Sequence, residues 1–359
     1  MLKVVPAVPD KYCEVSFNDY AAWRKVLGLV VDDYWGKDGW PVGGLENEYV
    51  SQLLAPPGEY AGVPHVNAPF ISGMQLYDRS DGKQSPIRAG NIGYGPLDVE
   101  RAVWAVMEPW QMYEAISGHF DPAAVSWAAD QYTDPNLRPE ISTYKDVRMY
   151  SWSGEVNFNR SLAPPLFDKL GSGRTLAVQP TDIFASSQKE YVRGMVDASR
   201  GEVNSLADDP DFQLLAHNLD KKGVLSAEMC DAVMNPNNAS TWLSYLGTDW
   251  AEFFRKAREG APLMGPYSAF ATGLGQDETG LFVILVLAYG SPAAAEQDAA
   301  TLQTRLTAGR NSEDKPWTQE VLSSDVWVDG KALCAVLRGN VVTYWYRFAW
   351  GEPLLAREN

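Results

Sequence analysis

Leu281-Phe282-Val283-Ile284-Leu285-Val286-Leu287-Ala288-Tyr289 is an unbroken apolar run. A bilayer span needs about 20 such residues, so this run predicts a strand covered on both faces. Gly290-Ser291-Pro292 then changes the period. Ser291 can cap a helix whose first position is Pro292, where a missing N–H costs nothing. Ala295, Ala299, Leu302 and Leu306 follow at steps of four, three and four, a narrow stripe that lets the helix lie close on a sheet. Upstream, Tyr267 to Gly275 reads as the hairpin partner of the run, across Gln276 to Gly280. Downstream, Val321 to Val328 and Lys331 to Leu337 read as two more strands.

An earlier stretch carries the same plan. Arg101 to Met107 and Gln111 to Ser117 predict a strand pair, and "AISGHFDPAAVSWAADQ" (115–131) parallels "VLAYGSPAAAEQDAATL" (286–302): strand, Gly, capping residue, Pro, Ala-Ala, helix. Asp146 to Ser151 is strand-like in turn. The pattern predicts two related β-α-β-β units by internal duplication; the alternative is two ordinary strand–helix junctions sharing common cap chemistry. The fold class expected is α+β, with mostly antiparallel sheets and helices packed on one face. Pro164-Pro165 and Gly171-Ser172-Gly173 suggest two halves, 1–165 and 166–359, the first rich in Gly/Pro/Trp loops.

Elsewhere Ser16 is a candidate N-cap for a helix over Asp19 to Leu27, with Gly28 ending it. Thr175 to Val178 and Ile183 to Ser187 predict a hairpin, followed by a helix over Gln188 to Ser199. Asp208 or Asp209 caps a further helix with Phe212, Leu215, Ala216 and Leu219 apolar. Val224 to Cys230 is strand-like, and Thr241 to Arg258 is an amphipathic helix. The aromatic stretch Val341 to Trp350 should cover the sheet as a strand or helix.

The chain has 359 residues, 45% of them hydrophobic and 12% aromatic, enough for a real core. A formal charge of −16 without any Lys/Arg-rich run argues against nucleic acid and against anionic membrane surfaces. Cys13, Cys230 and Cys334 form no CxxC, and with 3 His in all no structural zinc cluster is expected. Whether Cys230 and Cys334 pair is open at this level. No transmembrane segment is read, and Met1 to Val8 is too short for a signal-peptide core. Low lysine content with abundant Trp, Tyr, Asn and Gly suggests an extracytoplasmic chain, periplasmic or at the cell surface, with its export signal and any lipid anchor removed. A cytoplasmic address is the alternative.

The imidazoles are His65, His119 and His217. His119 stands between a strand end and a helix start, where sites often lie, but no nucleophile motif accompanies it and a turn residue is the simpler reading. Gly171 to Thr175 lacks the lysine and spacing of a phosphate loop. Asp78 to Gly82 lacks the alternating ligands of a calcium loop and reads as a solvated turn. Asp32-Asp33 and Asp208-Asp209 could serve glycoside chemistry only if a second acid came within about 5–10 Å. Tyr34, Trp35 and Trp40, set among glycines, could form a stacking platform for a sugar or planar ligand, or fold back on the core.

"SLADDPDFQLLAHNL" (205–219), "GLFVILVLAYGSPAAAEQDAATLQTRL" (280–306) and "VSFNDYAAWRKVLGL" (15–29) together resemble segments of bacterial exported or lipoprotein-type proteins of unknown function. The resemblance implies an extracytoplasmic address and an α+β fold, and supplies no catalytic residue. The expectation is therefore a non-enzymatic extracytoplasmic binding or structural-interaction protein. Its partner would be a protein, small molecule or glycan, with no cofactor, no metal and no catalytic residues. A carboxylate-dependent hydrolase acting on a carbohydrate or envelope polymer is the alternative.

Overall fold

The computed structural model describes residues 1–7, 13–34, 52, 93–107, 111–130, 138–152, 174–231, 261–350 and 352–357. In chain order the strands and longer helices are β1 (Cys13–Asp19), α1 (Tyr20–Leu27), β2 (Val99–Met107), β3 (Gln111–Gly118), α2 (Pro122–Asp130), β4 (Glu140–Tyr144), β5 (Val147–Trp152), β6 (Arg174–Val178), β7 (Asp182–Ser186), α3 (Lys189–Ser199), α4 (Pro210–Lys221), β8 (Val224–Asp231), β9 (Ala269–Asp277), β10 (Gly280–Ala288), α5 (Pro292–Ala308), β11 (Val321–Asp329) and β12 (Ala332–Gly339). The protein is α+β, and the strand pairings within its ladders are antiparallel.

Two compact units divide the chain. The first holds the described residues up to Leu206 apart from Cys13–Ser16; the second holds Cys13–Ser16 and the described residues from Ala207 onward. The first unit therefore runs past the boundary expected at 165/166. The reason is pairing: β6 bonds to β5 and β7 bonds to β3, so both belong to the earlier strands. Pro164-Pro165 itself lies outside the described residues.

In the first unit the ladder runs β2-β3-β7-β6-β5-β4. Its strands bury Val103, Ala105, Ile116, Met149, Leu176, Ile183 and Phe184. α3 lies on this sheet through Val192, Met195, Val196 and Ala198, a spacing that places them on one helical face. The N-terminus is tied down by Ala7 N–H to Asn204 O at 2.9 Å and Leu206 N–H to Val5 O at 2.9 Å. Ser16 is not the cap of α1: it lies within β1, and Asp19 accepts from Ala22 N–H at 2.8 Å in its place. A strand runs directly into the helix, so the cap falls three residues later than expected.

In the second unit the ladder runs β11-β12-β10-β9-β8. Phe282 through Tyr289 are all buried, which is what an apolar run without alternation requires. The cover differs between faces. A Cβ at Gly273, directly opposite Ile284, would meet Leu219 of α4 at 2.9 Å, so α4 lies tight on that face. On the other face Thr272, opposite Leu285, donates its hydroxyl to the carbonyl of Trp345 at 3.2 Å. Val341, Trp345 and Phe348 are buried there at helical spacing, so the aromatic tail covers the sheet as turns of helix. Ser291 caps α5, accepting from Ala294 N–H at 3.3 Å, with Ala295, Leu302 and Leu306 buried.

The succession β-β-α-β-β occurs in both units, as β2-β3-α2-β4-β5 and β9-β10-α5-β11-β12. The sheet orders differ, however. β12 pairs directly with β10, whereas β7 and β6 stand between β3 and β5. The two stretches share a chain plan and not an arrangement.

Candidate functional site

The residues singled out from the sequence scatter. Tyr34 ends a short turn of 3-10 helix, Val31–Tyr34, and Asp32 and Asp33 on it are exposed. Trp35, Trp40, His65, the 78–82 turn, the 171–173 glycines and the 241–258 helix lie outside the described residues. Asp209 is the cap of α4, accepting from Asp211 N–H at 2.9 Å and Phe212 N–H at 3.0 Å. His217 is exposed on the same helix. Cys230 and Cys334 are both buried and no disulfide joins them, and burial pushes the Cys334 thiol up to about 12. Among the described residues no three His, Cys, Asp or Glu side chains are placed to hold a metal ion, and no helix is long and apolar enough to cross a membrane.

His119 sits where the sequence places it, between β3 and α2, and is exposed. Its Nε2 lies 3.3 Å from Glu100 Oε1, and its N–H donates to Asp98 O at 3.0 Å. Asp98 accepts from Gly95 N–H at 2.7 Å; burial raises its carboxyl to about 6, against that bond and the His119 charge. These contacts hold a turn together. Among the described residues no hydroxyl or thiol nucleophile is joined to the imidazole.

Two buried polar clusters were not legible beforehand. In the second unit Ser16 donates to Glu228 Oε2 at 2.6 Å, and the Glu14 carboxyl is close enough to act on Glu228 electrostatically. Glu228 is 2% exposed and Glu14 8%. Burial drives the Glu228 carboxyl well above the ordinary range, the Ser16 bond opposes that, and Glu14 adds to it. In the first unit Glu114 and Arg174 form an ion pair inside the sheet, next to the Tyr94 hydroxyl. Among the described residues the Tyr94 hydroxyl and Arg174 Nε–H find no hydrogen-bond partner. Both clusters lie under the surface.

What reaches solvent is the end of the second unit's ladder. β11 pairs with β12 alone among the described strands and spans nine residues, Val321–Asp329. A bulge between Val321 and Ser323 turns out Leu322, which is 78% exposed, and Ser323, Ser324 and Asp325 are exposed after it. From Ser323 to Asp329 the register with β12 is regular. The end of the first unit's ladder is built differently. β4 is five residues long, and charges close it: Lys189 holds Glu140 at 2.9 Å, and Tyr144 donates to Asp197 at 3.0 Å. Lys145 and Asp146 then take left-handed backbone, with φ of 46° and 67°, which stops the strand. Shortness and charge are the usual protections of an edge. β11 has no proline, lysine or arginine, and among the described strands β12 alone takes up its backbone donors and acceptors. Its strand character was readable, but its edge position was not: that depends on which strands pair.

No family model matches this chain, and no curated protein matches it in sequence. Among solved structures, crystal form III of TP0453 aligns over 96% of this chain and 96% of its own, at 8% identity and a TM-score of 0.39. Crystal form I of TP0453 aligns over 97% and 96%, at 9% identity and a TM-score of 0.36. Likeness at that level carries neither a family nor a function.

Proposed function

We propose that this protein is a non-enzymatic, extracytoplasmic binding protein that takes an extended segment of a partner protein onto the β11 edge. The observation that carries the reading is the contrast between the two ladder ends. One is shortened and closed by charge; the other presents seven regular residues in which Asp325 and Asp329 are the charged side chains. Main-chain hydrogen bonds from such an edge supply affinity for an added strand, and alternate side chains supply selectivity. The extracytoplasmic address rests on composition and on the resemblance to exported chains. The hydrolase alternative has its best support in Glu14 and Glu228, two carboxyls that do come together, but at 8% and 2% exposure they are shielded from a polymer.

The test is to close the edge. Successive residues of a strand bond to opposite sides, so of Ser323→Pro and Ser324→Pro only one removes an outward N–H and spares the β12 ladder. That variant should keep the wild-type melting temperature. It should also lose binding of a nine-residue valine/threonine peptide with a central lysine, measured by calorimetry. Unchanged peptide affinity in the stable variant would refute the reading.

A further inference from the structure

We infer that the segment fitting this edge is cationic, with a lysine or arginine set opposite Asp325. The inference rests on β11 being a binding edge and adds the chemistry of the occupant. Asp325 is exposed within the regular part of the strand, opposite Val336 of β12, and no lysine or arginine pairs with it among the described residues. The nearby cations are already engaged. Lys221 holds Asp329 at 2.6 Å, and Lys222 lies 4.7 Å above the Trp327 ring. Asp325, Trp327 and Asp329 share one side of the strand at period 2, so among the described residues Asp329 has a cation and Asp325 has none.

A single unpaired acid on an open edge selects. It disfavours a neutral or acidic strand, whose docking would leave a carboxylate beside apolar or like-charged groups, and it favours one that brings the missing cation. On the opposite side Val326 and Val328 are half-buried and half-open. The fitting segment therefore alternates, with a cation facing Asp325 and apolar residues beside the valines. A second copy of this chain does not fit. Residues 321–329 contain no basic side chain, so β11 laid against β11 brings no cation to Asp325 in any register, and two chains of charge −16 repel.

The test uses two nine-residue peptides of alternating valine and threonine, identical but for lysine or glutamate at the centre. Each is titrated at low salt into the wild-type protein, Asp325→Lys and Asp325→Asn. The lysine peptide should bind the wild type about tenfold tighter than the glutamate peptide, the order of one reversed cross-strand charge pair. Asp325→Lys should reverse the preference and Asp325→Asn should abolish it, with circular dichroism unchanged in both. Equal binding of the two peptides by all three proteins would overturn the cationic occupant while leaving the edge reading intact. A concentration-dependent dimer in sedimentation that Asp325→Lys disrupts would overturn it in favour of a second copy. Failure of both peptides to bind the wild type would remove the edge reading and this inference together.

Discussion

Ser16 donates its hydroxyl to Glu228 Oε2 at 2.6 Å, inside the second unit and beside the Glu14 carboxyl. Around the pair these strands bury Val15, Leu225, Ala227 and Met229 together with the polar Glu14 and Ser226, and its cost depends on pH. A carboxyl raised by folding costs nothing below its unfolded value near 4.5 and costs progressively more as pH climbs toward the folded value.

Glu228→Gln should therefore stabilise the protein at pH 7, by about 1–3 kcal/mol, because the amide still accepts from Ser16 and carries no charge. The gain should vanish below about pH 4, where the wild-type carboxyl is protonated folded or unfolded. Urea midpoints for both proteins from pH 4 to pH 8 check this. A gain independent of pH would mean that the Glu228 charge is not its source.

Ile284 and Leu285 point to opposite faces of β10, one toward α4 and the other toward Trp345. Truncating either to alanine should cost about 2–5 kcal/mol, because each lies in a filled, dry environment. Should one variant lose less than about 1 kcal/mol in chemical denaturation, that face is not closed by the elements assigned to it.

Asp298 of α5 accepts from the Tyr289 hydroxyl and from Gly265 N–H, both at 2.7 Å. Asp298→Ala strands two donors, one of them on the buried Tyr289, and should cost about 2–4 kcal/mol; Tyr289→Phe removes one donor with its bond and should cost about 1 kcal/mol. A double-mutant cycle by thermal unfolding separates the shared bond from the rest. Equal losses in the two single variants would contradict the role given to Gly265.

The elements legible in the sequence were those whose local chemistry agrees with their final neighbours. The 281–289 run has one solution, a doubly covered strand, and Ser291-Pro292 then starts a helix whatever surrounds it. Asp209 likewise caps α4 by contacts to its own neighbours. β1 was missed because Ser16, a good cap by residue type, gives its hydroxyl to a glutamate 212 residues away. β4 was missed because a five-residue edge strand with polar residues has no pattern of its own. The edge site could not be read for a related reason: "VLSSDVWVD" announces a strand, but its edge position is decided by pairing with β12 and with no further strand among the described residues. The aromatics at 34, 35 and 40 were attractive by residue type alone, and that reading stays an expectation.

The central claim is that β11 is where a partner strand adds, and amide hydrogen exchange tests it at the residues concerned. With the lysine-centred peptide bound, alternate amides between Ser323 and Asp329 should exchange at least about tenfold more slowly, because each outward N–H gains an acceptor. Amides of Glu140–Tyr144, in the closed edge of the first unit, should not change. Peptide binding that protects a different segment and leaves 323–329 exchanging at the free rate would contradict the account.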